Sequence, residues 1–582
     1  MNEELEHLRH TLAHLTAASV IALYPGAQNA IGPAIEGGFY QDFELPVQLS
    51  SDDLQTIEDK MREKLKGWKE FSIKKSSPDE ARELFKWNKY KTELIGDFEK
   101  EGKDITLTMT GDFLDLCKGG HLDDLSMINP DAFRLTKLAG AYWRGSEKNK
   151  MLTRIYGVAF RTKSELDAYL TMLEEAEKRD HRKLGKELDL FTFSDLVGPG
   201  LPLWTPRGTL MRNLLDEFVW SLRRDRGYQR VTIPHITKRA LYETSGHWEK
   251  FQNDLFKVAT RETHEFAMKP MNCPHHTQIF ARKPHSYREM PQRYAETTMV
   301  YRDEQSGELH GLSRVLSITQ DDAHVFCRQS QIINEALSIC GIIQTFFSTV
   351  GFEELNIRLS LHDPHHMETY LGSEEVWHAT ENQLREIAGV LGKEALEAPG
   401  EAAFYGPKID FMAMDSIGRQ WQVATVQLDF NMPERFDLYC VNEQGEKERI
   451  FMIHAAIMGS LERFLSVYIE HCAGVFPLWL SPVQVVLLPV GEGHLEVCRT
   501  FAERLCEEGI RADVDESNES VGKKIRNAEK SKVPYMLVIG DKEKDLVTLS
   551  VRKRGVKDTS EISTTEFIAM LQERNSSKSL EL

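Results

Sequence analysis

Cysteine is scarce and unpatterned in this chain: eight in 582 residues, with no CxxC pair among them. That excludes a disulfide framework and suits a reducing compartment. Long apolar runs are missing as well, and no stretch reads as long enough to cross a membrane, so no membrane partner is expected. The opening MNEELEHLRH alternates acids and bases. It has neither the positive start nor the apolar stretch of a signal peptide, which makes a cytoplasmic protein the expectation. Internal repeats and low-complexity segments are absent. Cationic residues are in deficit, 72 Lys and Arg against 90 Asp and Glu for a net charge of -18, and a globally acidic surface repels nucleic acid. Charge is local, however. RRDRGYQR (223–230), KKIRNAEKSK (523–532) and VRKRGVK (551–557) are basic islands, each of which taken singly reads as a solvated face.

What is present is an ordinary globular composition, 41% hydrophobic and 28% charged, over a length that accommodates three or four domains. Up to residue 160, helical stretches alternate with strand-like ones such as GGFYQDFEL and DITLTMTGDF, an α+β pattern. From Lys163 to Leu190 apolar residues recur at three-to-four spacing among dense charge, predicting one long amphipathic helix that joins two bodies. Strand-like runs then dominate, including YQRVTIPHI, RVLSITQDDAHVF and WQVATVQLDF, and predict a large mixed sheet. After FPLWLSPVQVVLLPV the order becomes βαβαβ, which predicts a small α/β domain with a parallel core.

Three stretches carry chemistry: KPMNCPHH (269–276), YRDEQSGELHGLSRVLSITQDDAHVF (301–326) and MIHAAIMGSLERF (452–464). As chemistry they suit activation of an amino acid by ATP. Arg302 offers a planar bidentate donor for a phosphate, Glu304 can accept from an exocyclic amine, and Arg463 presents a guanidinium plane for stacking on a base. In order and spacing the three stretches resemble the signature motifs of class II aminoacyl-tRNA synthetases, and in detail those of the threonyl-tRNA synthetase family, over nearly the whole chain. The resemblance implies an antiparallel-sheet catalytic core, an α+β editing domain and a small α/β anticodon-binding domain. The implied bounds are 1–160 for editing, 161–190 for a linker helix, 191–477 for catalysis and 478–582 for the anticodon domain.

The resemblance further implies that Cys273, His324 and His454 are the ligands of one catalytic zinc per subunit, three protein donors leaving the metal open to substrate. Asp322, Gln427, Tyr405 and Lys408 match residues around the substrate's amino and hydroxyl groups. A zinc ion that takes the hydroxyl can reject valine, which an apolar pocket separates poorly from threonine. Serine keeps the hydroxyl and lacks only a methyl group, a difference of about 1–3 kcal/mol, so a second, hydrolytic site is expected.

The helical pair His10 and His14 in RHTLAH belongs to that expectation. On spacing alone it is a solvated face or half of a metal site, and with Cys117 and His121 of DLCKGGH it makes an equally good tetrahedral zinc site. In the family, HxxxH and CxxxH pairs form a metal-free pocket that hydrolyses seryl-tRNA, with positions matching Lys91 and Asp115 lining it. In the C-terminal domain Asn518, Arg526, Glu543 and Arg552 match anticodon-reading positions, mixed donors and acceptors being what splayed bases require. Pro234 matches the dimer-forming first motif. The implied partners are tRNA(Thr), ATP with Mg2+, L-threonine and a second copy of the chain.

Some features depart from the family pattern. Most bacterial members carry an additional β-rich module ahead of the editing domain, whereas this chain begins almost at RHTLAH. Ala455 stands where arginine is usual, removing a charge expected beside the active site; His275 and Gly120 stand where glycine and proline are commoner. Two other readings compete: a paralogue that makes the adenylate without charging tRNA, and a non-catalytic RNA-binding regulator, which would have no need of Arg302, Arg463 and the zinc set.

Overall fold

The computed structural model describes residues 3–262 and 264–582. It divides into two compact units, Met1–Glu174 and Glu175–Leu582.

In the first unit the helix Glu3–Leu23 buries Leu8, Leu12 and Leu15, spaced to share one face. They pack with Phe39, Phe43 and Ile155 of an antiparallel sheet ordered Gln28–Asn29, Gly38–Glu44, Met151–Ala159, Phe133–Tyr142, with Ala34–Ile35 hairpinned onto the second strand. A separate three-stranded sheet runs Ser72–Ser76, Ile105–Thr110, Phe113–Leu116. Its last strand delivers Cys117.

The helix expected over 163–190 is two helices, Lys163–Arg179 and His181–Glu187. Asp180 leaves helical geometry at ψ 120° and its carboxylate accepts the N–H of Arg182 at 2.8 Å, capping the second helix where the first ends. Beyond it lies an eight-stranded sheet in the order Gln229–Arg230, Gln292–Tyr301, Ser317–Cys327, Phe451–Ala456, Gln420–Asp429, Lys408–Met414, Leu355–Leu361, Ala395–Pro399. Only the two outermost pairings are parallel. YQRVTIPHI supplies two short strands, Gln229–Arg230 and Ile236–Lys238, separated by Pro234, which has no N–H to give a ladder.

The helix Ile332–Val350 lies within the stretch Gln329–Val350, which does reach the length and apolarity of a membrane span, contrary to the sequence expectation. Half of the most apolar window is buried inside the protein, and Ile339, Ile343 and Phe346 pack in the same core as Ala323, Val325 and Val426 of the sheet.

One basic island is partly structural. Arg223 is buried and ion-paired with Asp321, whose other oxygen accepts the N–H groups of Ile457 and Met458, each at 3.0 Å. Removing one partner leaves an uncompensated charge, so Asp321→Ala is expected to cost about 3–5 kcal/mol of stability. Urea unfolding followed by circular dichroism checks this, and a loss below about 1 kcal/mol would place the pair among weak surface contacts.

The C-terminal sheet runs Ala512–Val514, Val485–Pro489, Tyr535–Ile539, Thr548–Lys553, Thr559–Ser563. The first three strands are parallel, as the βαβαβ order predicts, and an antiparallel hairpin extends them. In the adjoining helix Val521–Lys530 Lys524 is buried, its ammonium donating to the carbonyls of Pro489 and Asp515.

Candidate active site

Strand pairing assembles the centre. Tyr294, His324, His454, Gln427 and Lys408 are successive partners across five strands and therefore share one face of the sheet, opposite the helical core. Cys273 opens the helix Cys273–Ala281 beside this row. Donor atoms of Cys273, His324 and His454 all lie within 4.8 Å of one another. His324 Nε2 faces His454 Nδ1 at 3.1 Å, while the outer nitrogens are held elsewhere: His324 Nδ1 lies 2.7 Å from His276 Nδ1, and His454 Nε2 lies 2.8 Å from Asp429 Oδ2. Outer partners of this kind orient imidazoles for a metal. Burial pushes the Cys273 thiol up and the His324 imidazole down, favouring both neutral forms, and a bound cation is what makes a buried thiolate favourable. The donor set therefore fits zinc.

Asp322 lies on the same strand face, 3.7 Å from His324 Nε2, and accepts from Asn272 at 3.0 Å. Gln427 is buried and donates its amide to the Gly406 carbonyl at 2.9 Å. Tyr405 is buried with its ring 5.2 Å from that of His454. Lys408 is the more committed residue, its ammonium 2.7 Å from the buried carboxylate of Asp410. Ala455 pairs with Ala323 and Val426 on the core side, 2% exposed. The missing charge expected beside the active site thus concerns the other face.

Beside the row opens a cavity of about 700 Å³, lined among others by Arg302, Glu304, Gln320, Thr425, Ala456 and Arg463. Arg302 Nε is buried and without a protein partner. Arg463 sits in the first turn of the helix Leu461–His471, capped by Ser460. Glu304 is gripped by Arg314 at 2.7 and 2.8 Å, and Arg314 also holds Glu308.

The first unit brings the four residues of the second constellation together. His10 Nε2 is 3.2 Å from His14 Nε2, and Cys117 Sγ is 3.5 Å from both His10 Nε2 and His121 Nε2. His14 Nδ1 lies 3.1 Å from Asp115, which also meets buried Lys91 at 2.6 Å and Asn29 at 3.0 Å. Burial opposes charge on His14 and Cys117, but hydrogen bonds to Asp115 and Cys117 lift His14 to about 9, and those from the three histidines bring Cys117 down to about 3. Burial, outweighed by Lys91 and His14, leaves Asp115 lowered, and burial depresses His121. Gly120 has φ +81°, outside the range of a proline ring, and its carbonyl lies 3.0 Å from His10 Nδ1, so this loop needs its glycine.

Of the anticodon set, Asn518 and Arg526 are exposed, while Glu543 and Arg552 are half-buried. Arg552 bonds Glu529 at 2.7 Å and the Lys557 carbonyl, with its Nε buried and unpartnered. Sequence reasoning missed His276, Asp429, Asn29 and Arg314. His276, Asp429 and Arg314 stand inside the quoted strings CPHH, QLDF and YRDEQSGELHGLSRVLSITQDDAHVF, whereas Asn29 carries no local signal.

A buried Cys-His-His face flanked by an arginine-lined cavity on an antiparallel sheet defines a class II aminoacyl-tRNA synthetase. Residues 256–472 match the family model for the tRNA synthetase class II core domain (G, H, P, S and T), 484–574 the anticodon binding domain, and 105–156 the threonyl and alanyl tRNA synthetase second additional domain. The chain is 48% identical over 570 residues to the threonine–tRNA ligase of Porphyromonas gingivalis, covering 97% of this chain and 86% of that protein. It is 46% identical over 583 residues to that of Gloeobacter violaceus, covering 98% and 92%. Among solved structures it resembles the RNA binding domain of threonyl-tRNA synthetase from Cryptosporidium parvum, at 36% identity and TM-score 0.65, covering 69% of this chain and 99% of that one. The chain belongs to the threonine–tRNA ligase family.

Proposed function

We propose that the protein activates L-threonine with ATP, transfers it to the 3′ end of tRNA(Thr), and hydrolyses seryl-tRNA(Thr) in a separate pocket. The observation that carries this reading is the continuity of one sheet face from the Cys273, His324, His454 cluster to the cavity holding Arg302 and Arg463. Cys273, His324 and His454 would hold zinc, which supplies a Lewis-acid site able to tell a hydroxyl from a methyl group. Asp322 would take the substrate ammonium, with Gln427, Tyr405 and Lys408 bounding the side chain. Arg302 and Arg463 would bind phosphate and adenine, and Glu304 the adenine amine, with Mg2+ arriving on the ATP phosphates. Pyrophosphate exchange run with all twenty amino acids tests the reading: only threonine, and more weakly serine, should support it. Exchange with none of them would favour a non-catalytic RNA-binding protein.

In the first unit His10 and His14 would position or activate the water that attacks the ester of seryl-tRNA, with Cys117 and His121 completing the pocket. The domains would divide at 160, 190 and 477, the protein would act in the cytoplasm, and two copies would associate through the face around exposed Pro234.

Asn518, Arg526, Glu543 and Arg552 would read the anticodon. Arg526→Ala and Arg552→Ala are each expected to weaken tRNA charging about tenfold or more while leaving pyrophosphate exchange at the parent rate, since Arg526 stands on the helix Val521–Lys530 and Arg552 on a strand of the C-terminal sheet, and neither lines the ATP cavity. Parallel loss in both assays would remove the anticodon assignment.

A further inference from the structure

His181, which opens the second linker helix, is 1% exposed and has both ring nitrogens engaged. Its Nδ1 lies 2.7 Å from Glu470 Oε1 on the helix that carries Arg463, and its Nε2 accepts the backbone N–H of Leu312 at 3.0 Å. A backbone N–H can only donate, so Nε2 is bare and Nδ1 carries the proton given to Glu470. Glu470 is fixed in turn by Arg419 at 2.6 Å. Asp180, His181 and Glu470 have donor atoms close enough for a cation, yet the His181 nitrogen beside Glu470 is Nδ1, which already holds the proton given to that carboxylate because Nε2 accepts from Leu312.

Leu312 lies at the tip of the turn joining His310 to Arg314, closed by a backbone bond from His310 N–H to the Arg314 carbonyl at 3.2 Å. Arg314 is the residue that grips Glu304. Gly311 makes the approach possible: at φ +52°, a Cβ there would stand 2.2 Å from His181 Nε2.

We propose that His181 is a positioning residue for the ATP cavity: as a neutral imidazole bridging Glu470 and Leu312 N–H, it locks the 310–314 turn and thereby Arg314 and Glu304. This rests on the reading of that cavity as the ATP site. The two bonds can be separated. His181→Asn keeps a donor near Nδ1 for Glu470 and loses the acceptor, whereas His181→Gln can place an acceptor near Nε2. In pyrophosphate exchange the Asn variant is expected to raise KM for ATP roughly tenfold with KM for threonine unchanged, and the Gln variant to stay within about threefold of the parent. Equal effects in both variants, or an effect on Tm alone, would overturn the proposal. Should neither variant fold, nitrogen NMR of the imidazole in the parent protein still decides: a protonated Nδ1 with a bare, hydrogen-bonded Nε2 supports it, and the opposite tautomer refutes it. Failure of the parent to exchange at all would instead count against the synthetase reading, and the tautomer measurement would stand apart from that result.

Discussion

A variant carrying His10→Ala and His14→Ala is expected to charge tRNA with threonine near the parent rate and to accumulate seryl-tRNA. Both histidines lie in the first compact unit, and the proposed synthetic site lies wholly in the second. Their removal therefore takes nothing from the zinc set or the ATP cavity. What it takes is two of the three histidines that lower Cys117, whose rings stand 3.2 Å apart in the cluster. General acid–base contributions of about 100- to 10,000-fold set the scale, so deacylation of preformed seryl-tRNA should slow by at least about 100-fold. Supplied with serine and tRNA, the parent should consume ATP with little product, and the variant should build up the ester. Clearance of preformed seryl-tRNA at the parent rate would reduce RHTLAH to a folding role.

Cys273→Ala should lose both the metal and threonine activation. The parent is expected to contain one zinc per chain by elemental analysis, and the variant none. Removing an outer partner of a metal ligand already costs about 10- to 100-fold in affinity or activity, so removing a ligand should depress threonine-dependent exchange by at least about 100-fold. Asp429→Asn should fall between parent and Cys273→Ala, since it disturbs the orientation of His454 and removes none of the three donors. The stoichiometry also bears on the first unit, where His10, His14, Cys117 and His121 have donor atoms within the same 4.8 Å limit. Two zincs per chain would convert that cluster into a structural metal site and defeat its hydrolytic reading. One zinc that survives Cys273→Ala would place the metal in the first unit instead.

Much of this organisation is visible in the sequence because the chemistry sits in contiguous strings. CPHH, QDDAH and MIHAA each hold one residue of the Cys273, His324, His454 cluster, and the βαβαβ order of the last domain follows from short apolar runs alternating with helical ones. Strand parity alone also sets Ala455 apart: as the neighbour of His454 on one strand, it faces the other side of the sheet. Partnerships between distant segments are another matter. Asn29 with Asp115 depends on loops whose paths have no periodic signature, and even within one string nothing periodic pairs Arg314 with Glu304. The break at Asp180 is hidden because the charged, apolar-spaced pattern continues across it, while one capping carboxylate suffices to end a helix. The length of Gln329–Val350 escapes notice because its polar residues are spread along it rather than gathered at its ends.

The burial of Arg223 and Lys524 bears on how tRNA binding should respond to ionic strength. Both cations stand in basic islands, yet one neutralises Asp321 and the other caps two carbonyls inside the C-terminal domain. Neither is at the surface to displace the counterions condensed on a phosphate backbone. Each cation that does so contributes about 0.7 to 0.9 to the slope of log affinity against log salt. A prediction from the basic residues of those islands alone therefore overstates the slope by roughly 1.4 to 1.8. The protein should hold its tRNA through physiological salt better than its clustered arginines and lysines suggest, with a larger share of recognition left to base edges.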